Sequence, residues 1–336
     1  MDNDIFTKKE NKIENKKLNA IARKILFYLD QNATQTLKQI GKKVNKSPQY
    51  VNYWIEKLVK EGYINKFITI INYRKLGYFY YTIYIAFKVM KPEDEQKFID
   101  YLASDNTNTI LYSCHGDWDV VVGSLAKDPV EVHTKIVNIK KKYPDAIGNL
   151  IVETHVGSEY YGRRYLGDEK DIEFVSPRIT GQKTKTVNID EKDIKILSTI
   201  KDNTRISTID LAEKAGLSPD IVRYRLKKLK KEGLILSASI LPDYKRVNIR
   251  LYRLLLKTKG SDPNKEEKLI HFFSENPHVL RINKEFGTYD MSIDIEVIDK
   301  TLFKETIREM KSHFYDIIAE WNYIHITDVH RSYYFL

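Results

Sequence analysis

One stretch of the sequence, residues 195–235, decides the fold. It reads KILSTIKDNTRISTIDLAEKAGLSPDIVRYRLKKLKKEGLI. Apolar residues recur at helical spacing at Ile194, Leu197 and Ile200 and predict a first helix. A short second helix is predicted over residues 208–215. The pattern therefore indicates a compact group of helices rather than a sheet.

A third helix follows a tight turn at residues 216–218. Ser218 is a favourable N-cap, and Pro219 suits the first helical position because its missing N–H needs no partner there. The predicted inward side chains are Val222, Leu226 and Leu229. Gly233 ends the helix, and residues 234–241 are typical of a strand. Three helices followed by a strand pair predict a winged helix-turn-helix.

The exposed face of this third helix is strongly basic. The predicted DNA contacts on it are Ser218, Arg223, Tyr224, Arg225, Lys227, Lys228 and Lys231. An arginine fork suits guanine edges and phosphates, whereas a lysine supplies point charge to the backbone. A basic face can also be merely solvated, but the turn, the cap and the strand around this helix favour contact with double-stranded DNA.

The chain contains the same pattern 171 residues earlier. The matching segments are 24–26 with 195–197, 47–48 with 218–219, and 60–62 with 231–233. The offset persists downstream, where Gly116 and Asp119 match Gly287 and Asp290. The chain is therefore two copies of one unit of about 150 residues, the usual size of one domain or a pair of small ones.

The third helix of the first copy keeps the frame of the second but is less basic. Its predicted DNA contacts are Ser47, Gln49, Asn52, Tyr53 and Lys57. Asn and Gln can read adenine bidentately, whereas Glu56 and Glu61 dilute the positive field. Weak DNA binding and a mainly packing role both fit this face. A basic tail, residues 1–17 with Lys8, Lys9, Lys12, Lys16 and Lys17, is expected to add phosphate contacts without specificity.

After each helix-turn-helix comes a strand, helix, strand, strand, helix, strand pattern. In the first copy it covers 80–89, a helix from 92, 109–113, 120–125, 130–143 and 146–156. In the second copy it covers 249–259, 266–274, 280–283, 291–297, 302–314 and 317–329. This order predicts a βαββαβ, ferredoxin-like fold. Because its helices cover one sheet face, we expect the sheets to pair, within the chain or between chains in a homo-oligomer.

The residues quoted above resemble the Lrp/AsnC family of feast/famine regulators, twice over nearly the whole chain. A Gly-x-aromatic-Asp hairpin strengthens the resemblance. It stands here as Gly116-Asp117-Trp118-Asp119 and again as Gly287-Thr288-Tyr289-Asp290. The resemblance implies a domain that dimerises through its sheet and binds amino acids near that hairpin, which makes these eight residues candidate effector contacts. A purely structural hairpin is the alternative, because Gly fits a tight turn and Asp can bond its backbone.

The predicted fold class is α+β, with two winged helix-turn-helix domains alternating with two ferredoxin-like, effector-sensing domains. The predicted segments are a tail 1–17, helix-turn-helix 18–76, sensing domain 77–166, linker 167–188, helix-turn-helix 189–246 and sensing domain 247–336. The tandem arrangement departs from the single unit that is usual in the family.

Composition agrees with a nucleic-acid partner. The formal net charge of +10 favours an anionic partner, and no apolar run reaches the ~18 residues of a membrane span. The single cysteine, Cys114, cannot form an internal disulfide, so we expect a cytoplasmic protein and a buried thiol.

The sequence thus predicts a sequence-specific DNA-binding transcriptional regulator, modulated by an amino acid or another small effector. We expect no catalytic residues, no metal site and no cofactor, since no Walker-A loop, HExxH, GxSxG or zinc pattern occurs in the sequence. Siroheme decarboxylases share this architecture as paired units and are the enzymatic alternative. A protein–protein module that does not bind DNA is a third hypothesis.

Overall fold

The two copies of the repeat have the same element order. The structure is a computed structural model that describes residues 18–172, 175–260 and 262–333. The first copy contains α1 (Ala20–Gln31), α2 (Leu37–Val44), α3 (Pro48–Glu61), β1 (Lys66–Ile71), β2 (Phe79–Phe87), α4 (Pro92–Ser104), β3 (Asn108–His115), β4 (Val120–Ala126), α5 (Pro129–Lys142) and β5 (Ile147–Tyr160).

A connecting segment with α6 (Glu169–Ile172) and β6 (Arg178–Thr180) leads to the second copy. That copy contains α7 (Glu191–Ile200), α8 (Thr208–Ala215), α9 (Pro219–Lys231), β7 (Ile235–Leu241), α10 (Tyr244–Val247), β8 (Arg250–Thr258), α11 (Pro263–Glu275), β9 (Val279–Phe286), β10 (Met291–Val297), α12 (Lys300–Phe314) and β11 (Ile318–Ser332). The α+β class is confirmed.

Side-chain caps fix the third helix of each helix-turn-helix. The Ser47 hydroxyl accepts from the Tyr50 amide at 3.2 Å, and the Ser218 hydroxyl accepts from the Ile221 amide at 3.4 Å. Each cap precedes a proline at the first helical position. Such caps satisfy amides that the helix itself leaves unpaired. Each helix then closes an apolar core of its own domain, one around α1 and the other around α7.

The wing strands pair between the two units, which corrects the expectation of a strand pair within each unit. Strand β1 runs antiparallel to β7. Ile68 lies opposite Ser239, and Ser239 is the residue that corresponds to Ile68 in the second copy of the repeat. Each unit provides one strand here, because the chain turns away at Pro242 in one copy and into a short 3-10 helix at Tyr73–Leu76 in the other. An unpaired strand would leave its backbone groups without partners, and the second unit supplies them.

The two ferredoxin-like sheets close into one ring of eight strands. Within the units the orders are β5-β2-β4-β3 and β11-β8-β10-β9, and the sheet edges join through β3–β11 and β5–β9. Closure removes the exposed edges that would otherwise recruit other chains. The expected pairing of sheets is therefore made within the chain. Aromatic and aliphatic side chains of both units fill the interior, and the four helices α4, α5, α11 and α12 pack outside.

The segment predicted as a linker is partly folded against the first helix-turn-helix. Asp168 forms an ion pair with Lys24 at 2.5 Å, and Asp171 accepts a hydrogen bond from the Tyr28 hydroxyl at 2.7 Å. Strand β6 extends the sheet by pairing with the end of β5. These contacts hold the segment between the two copies against α1, so the segment is not a flexible linker throughout.

Candidate nucleic-acid interface

The exposed face of α9 carries the side chains that the sequence predicts to bind DNA. Arg223 is paired with Asp220 on the same helix, where both side chains are largely exposed, at 60% and 90%. An exposed pair of this kind is weak and salt-screened, so the guanidinium is free to exchange it for a phosphate or a base. Tyr224 is 69% exposed, and Lys227 and Lys231 are exposed beside it.

Arg225 has a different place from the one predicted. Its guanidinium donates to Asp190 at 2.6 Å and to Asp193 at 2.9 Å, and only 18% of its side chain is exposed. The hydrogen bond to Asp190, followed by that to Asp193, raises the pKa of Arg225. Arg225 therefore fastens α9 to α7 and does not present a free fork to DNA. Lys228 is half-buried, and Ser218 is used as the helix cap.

The face of α3 is less charged and more aromatic. The Asn52 amide donates to Glu56 at 2.7 Å, and Lys57 lies over the Trp54 ring at 4.5 Å from its centroid. Tyr53 is 57% exposed, and Gln49 is exposed near the start of the helix. Asn52 and Lys57 are thus engaged with their own helix, whereas Gln49 and Tyr53 stay exposed. The lysines of residues 1–17 lie outside the described residues.

Both Gly-x-aromatic-Asp hairpins make extensive contacts within the protein. Asp119 accepts from the Phe87 amide at 2.7 Å, and Asp290 accepts from the Thr258 amide at 2.7 Å. The aromatic residues Trp118 and Tyr289 are buried in the ring interior. Asp117 accepts from the side chain of Asn322 in the other unit. These contacts give the hairpins a structural role, and their binding of an effector stays a prediction.

Glu153 is a residue that the sequence interpretation missed. Its carboxylate is fully buried, and its Oε1 accepts from the amides of Thr288 at 2.9 Å and Tyr289 at 3.3 Å. Burial raises the pKa of this carboxyl. The repeat places Ile324 at the equivalent position, against the first hairpin. The sequence does not show that these two positions contact the hairpins, because Glu153 and the second hairpin are far apart along the chain.

The remaining predictions concern the cysteine, metal sites and membrane spans. Cys114 is buried, its thiol donates to the Trp118 carbonyl oxygen at 3.1 Å, and burial raises its pKa to about 12. Among residues 18–172, 175–260 and 262–333, no group of three His, Cys, Asp or Glu side chains is placed to hold a metal ion. No helix in that part of the chain is long and apolar enough to cross a membrane.

Comparison with known proteins identifies the class. The family described as winged helix-turn-helix DNA-binding matches residues 18–65 and 189–235. An uncharacterised HTH-type transcriptional regulator of Pyrococcus horikoshii is 28% identical over 127 residues, which is 38% of this chain and 79% of that protein. The HTH-type transcriptional regulator Zrp of Zymomonas mobilis is 26% identical over 134 residues, 39% of this chain and 88% of that protein.

A solved structure similar to the whole chain is the siroheme decarboxylase NirDL. It is 10% identical and covers 93% of this chain and 92% of its own, with a TM-score of 0.62. At this identity the likeness concerns the fold alone.

The chain thus carries two winged helix-turn-helix DNA-binding domains and is related to HTH-type transcriptional regulators. These matches agree with the predicted class, a DNA-binding regulator of the helix-turn-helix type. The relatives are named as regulators, which agrees with the predicted non-enzymatic role.

Proposed function

We propose that this protein is a sequence-specific transcriptional regulator in which one chain forms the unit that two Lrp/AsnC-type chains would otherwise form. The observation that carries the proposal is the antiparallel pairing of β1 with β7, with Ile68 opposite its repeat equivalent Ser239. This pairing relates the two helix-turn-helix domains by a local two-fold. Two recognition helices so related would address two half-sites of one duplex.

The two half-sites should differ. Helix α9 presents exposed Arg223, Lys227 and Lys231, whereas the amide of Asn52 on α3 is bound to Glu56. Arginine reads guanine and phosphate, whereas the α3 face offers mainly amide and aromatic groups. The operator is therefore asymmetric rather than palindromic, with α9 contributing the larger share of the binding free energy.

Salt dependence of duplex binding tests the proposal. If about six phosphates are contacted, log K should fall with log salt at a slope of about −5. Removing one phosphate contact by Lys227→Ala should reduce that slope by about 1, and Lys268→Ala on α11, outside either helix-turn-helix, should leave it unchanged. A salt-independent affinity, or failure to shift any duplex at low salt, would favour the protein–protein module instead. A genome-wide binding map of the tagged protein would then identify the operator.

A small effector, with amino acids as the first class to test, is the second part of the proposal. In the hairpins the acceptors and amides that an amino acid would use are already bonded within the protein, including the Thr288 amide to Glu153. An effector at these sites would have to replace such contacts. If an amino acid binds there, it will raise the melting temperature or change DNA affinity at millimolar concentration. A panel without either effect would leave the hairpins a structural role only.

The siroheme decarboxylase alternative rests on the similarity of fold over the whole chain. It predicts that the protein takes up siroheme and shifts its absorption spectrum. A titration that leaves the siroheme spectrum unchanged removes this alternative.

A further inference from the structure

A cavity of about 460 Å³ lies where four parts of the chain meet. These are α1 of the first helix-turn-helix, the end of wing strand β7, the second ferredoxin-like domain, and the segment 163–166 that leaves β5. Its apolar wall is formed by Leu18, Leu26, Leu166, Ile240, Pro242, Val247, Ile249 and Ile298. A concave, mainly apolar space of this volume with a few polar groups is typical of small-molecule sites.

Arg163 is the buried charge of this wall. It forms ion pairs with Asp30 of α1 at 2.8 Å and with Glu296 of β10 at 2.9 Å, and it also donates to the Ile240 carbonyl oxygen. Its charge is thus outnumbered by two fully buried carboxylates. Among the described residues its Nε–H has no hydrogen-bond partner, although Arg163 is only 3% exposed. A buried donor without a partner is costly, so this cluster is polar but offers no free group to the cavity.

His278 supplies an acceptor. Its Nδ1 lies 2.9 Å from the Glu296 carbonyl oxygen, which can only accept, so Nδ1 carries the hydrogen. Burial lowers the pKa of His278, so the ring is neutral and Nε2 is an acceptor. The ring stacks on Tyr165 at 5.0 Å between centroids. The cavity therefore combines an acceptor with stacked rings in an apolar surround.

We propose that this cavity, which we call the junction site, binds a small uncharged compound with an apolar body and one hydroxyl or N–H group. An anion would face the excess of buried carboxylates around Arg163, and the second cation of the lining, Arg23, is already paired with Asp168 at 3.2 Å. The hydroxyl or N–H group would donate to His278 Nε2.

Occupancy of the junction site would act on the first helix-turn-helix. The site contacts Leu26 of α1 and Tyr63, which directly follows α3, and Arg163 ties α1 to β10. The repeat does not reproduce it, since Asp30, His278 and Glu296 correspond to Lys201, Thr107 and Leu125. A ligand would therefore act asymmetrically, on α1 of the first DNA-binding domain and on the end of the wing strand of the second. This step rests on the proposed function, whereas binding itself does not.

Equilibrium dialysis of the full chain against 2-naphthol tests the binding step, with naphthalene and 2-naphthoate as comparison probes. We expect one site, tighter for 2-naphthol than for naphthalene by roughly 3- to 10-fold, the usual net value of one hydrogen bond. The 2-naphthoate anion and the zwitterion phenylalanine should bind more weakly than 2-naphthol. Equal binding of all four probes, or no binding, overturns the proposal.

Two variants localise the bound probe. Ile298 is half-exposed and lines the cavity, so Ile298→Trp should close it and abolish binding with little strain. Lys127→Trp, at the equivalent exposed position of the first unit, should bind as the unaltered chain does. His278→Phe keeps a ring on Tyr165 and should remove the preference for 2-naphthol over naphthalene. Binding that survives Ile298→Trp would place the probe elsewhere.

DNA affinity with and without saturating 2-naphthol tests the coupling. A change of at least 5-fold in either direction is expected, at the lower end of ordinary allosteric coupling. It should be absent in Ile298→Trp. If the probe binds but DNA affinity does not change, the junction site does not regulate. If no DNA binds at all, the proposed function fails while the dialysis result stands.

Discussion

The eight-stranded ring closes where the two sheets meet, at β3–β11 and at β5–β9, and we call these two contacts seams. They have the same register but differ in one buried pair of side chains. In the seam between β3 and β11, Cys114 lies opposite Ile326. In the seam between β5 and β9, the equivalent pair is His155 opposite Glu285, with Nε2 and Oε1 3.3 Å apart. A duplicated chain could have kept this buried pair alike in both seams, and here the pair is apolar in one seam and polar in the other.

Burial keeps the polar seam largely uncharged. Desolvation lowers the pKa of His155 well below its usual range, and it raises the pKa of Glu285 to about 8. Hydrogen bonds hold the pair, since Thr82 lies 2.7 Å from His155 and the Ser292 hydroxyl donates to Glu285 at 2.7 Å. The seam is thus ordered by neutral hydrogen bonds, which are directional in a way that apolar contacts are not.

This difference makes the two units complementary rather than interchangeable. A pairing of two first units would set His155 opposite Cys114 and leave it without the carboxyl of Glu285. Two second units would leave Glu285 opposite Ile326. Each buried polar group without a partner costs about 1–3 kcal/mol, so these seams favour pairing within the chain.

The largest effect should follow from breaking the ionic cluster that joins α1 to β10 and has no equivalent elsewhere in the repeat. Arg163→Met would leave Asp30 and Glu296 buried without a counter-charge, and we expect a loss of about 3–5 kcal/mol in the free energy of unfolding. Urea denaturation measures it. The exposed pair of Lys24 with Asp168 is the control, and Lys24→Met should cost less than about 1 kcal/mol. Similar losses in the two variants would show that the Arg163 cluster is not a buried network.

The next effect concerns pH and the polar seam. The pKa of Glu285 is about 8 in the folded chain and about 4.3 when unfolded, so its contribution is complete below the unfolded value and is lost as pH rises through 8. Glu285→Gln imitates the protonated form. It should match the unaltered chain below about pH 4 and be more stable by up to about 5 kcal/mol near pH 9, since each unit of pKa difference is about 1.36 kcal/mol.

Cys114→Ser in the apolar seam is the matched control for that comparison. The thiol has a pKa of about 12 in the folded chain and about 8.5 when unfolded, so its replacement should shift stability by the same amount from pH 4 to 7 and by no more than about 1 kcal/mol extra near pH 9. A Glu285→Gln difference that is constant with pH would mean that Glu285 is ionised in the seam.

A smaller effect should distinguish the structural arginine of α9 from the exposed one. Arg225→Met removes the hydrogen bonds to Asp190 and Asp193 and should cost about 1–2 kcal/mol of stability. Arg223→Met, whose partner Asp220 is exposed, should cost about 0.5 kcal/mol or less. The two changes should reverse order in DNA affinity. Thermal unfolding and duplex binding of both variants decide whether Arg225 stabilises the domain by joining α9 to α7 or contacts DNA.

The fold was largely predictable because its signals are local or repeated. Ser218, Pro219 and Gly233 mark the ends of one helix by their own chemistry, and the offset between copies carried that assignment to the first unit. Partners that are distant in sequence were not predictable, within a unit or across the two. The place of Arg225 depends on Asp190, and that of Glu153 depends on a hairpin in the other copy, and neither spacing is periodic.

The most direct test of the division between the units compares their recognition helices on one operator. Arg223→Ala should cost about 1–3 kcal/mol of binding free energy and relax specificity at the base it reads. Asn52→Ala should cost less than about 1 kcal/mol, because the Asn52 amide is already bound to Glu56. Quantitative binding of both variants to the same duplex gives the answer. A smaller loss for Asn52 is the predicted result, and an equal or larger loss for Asn52 would contradict the leading role of α9.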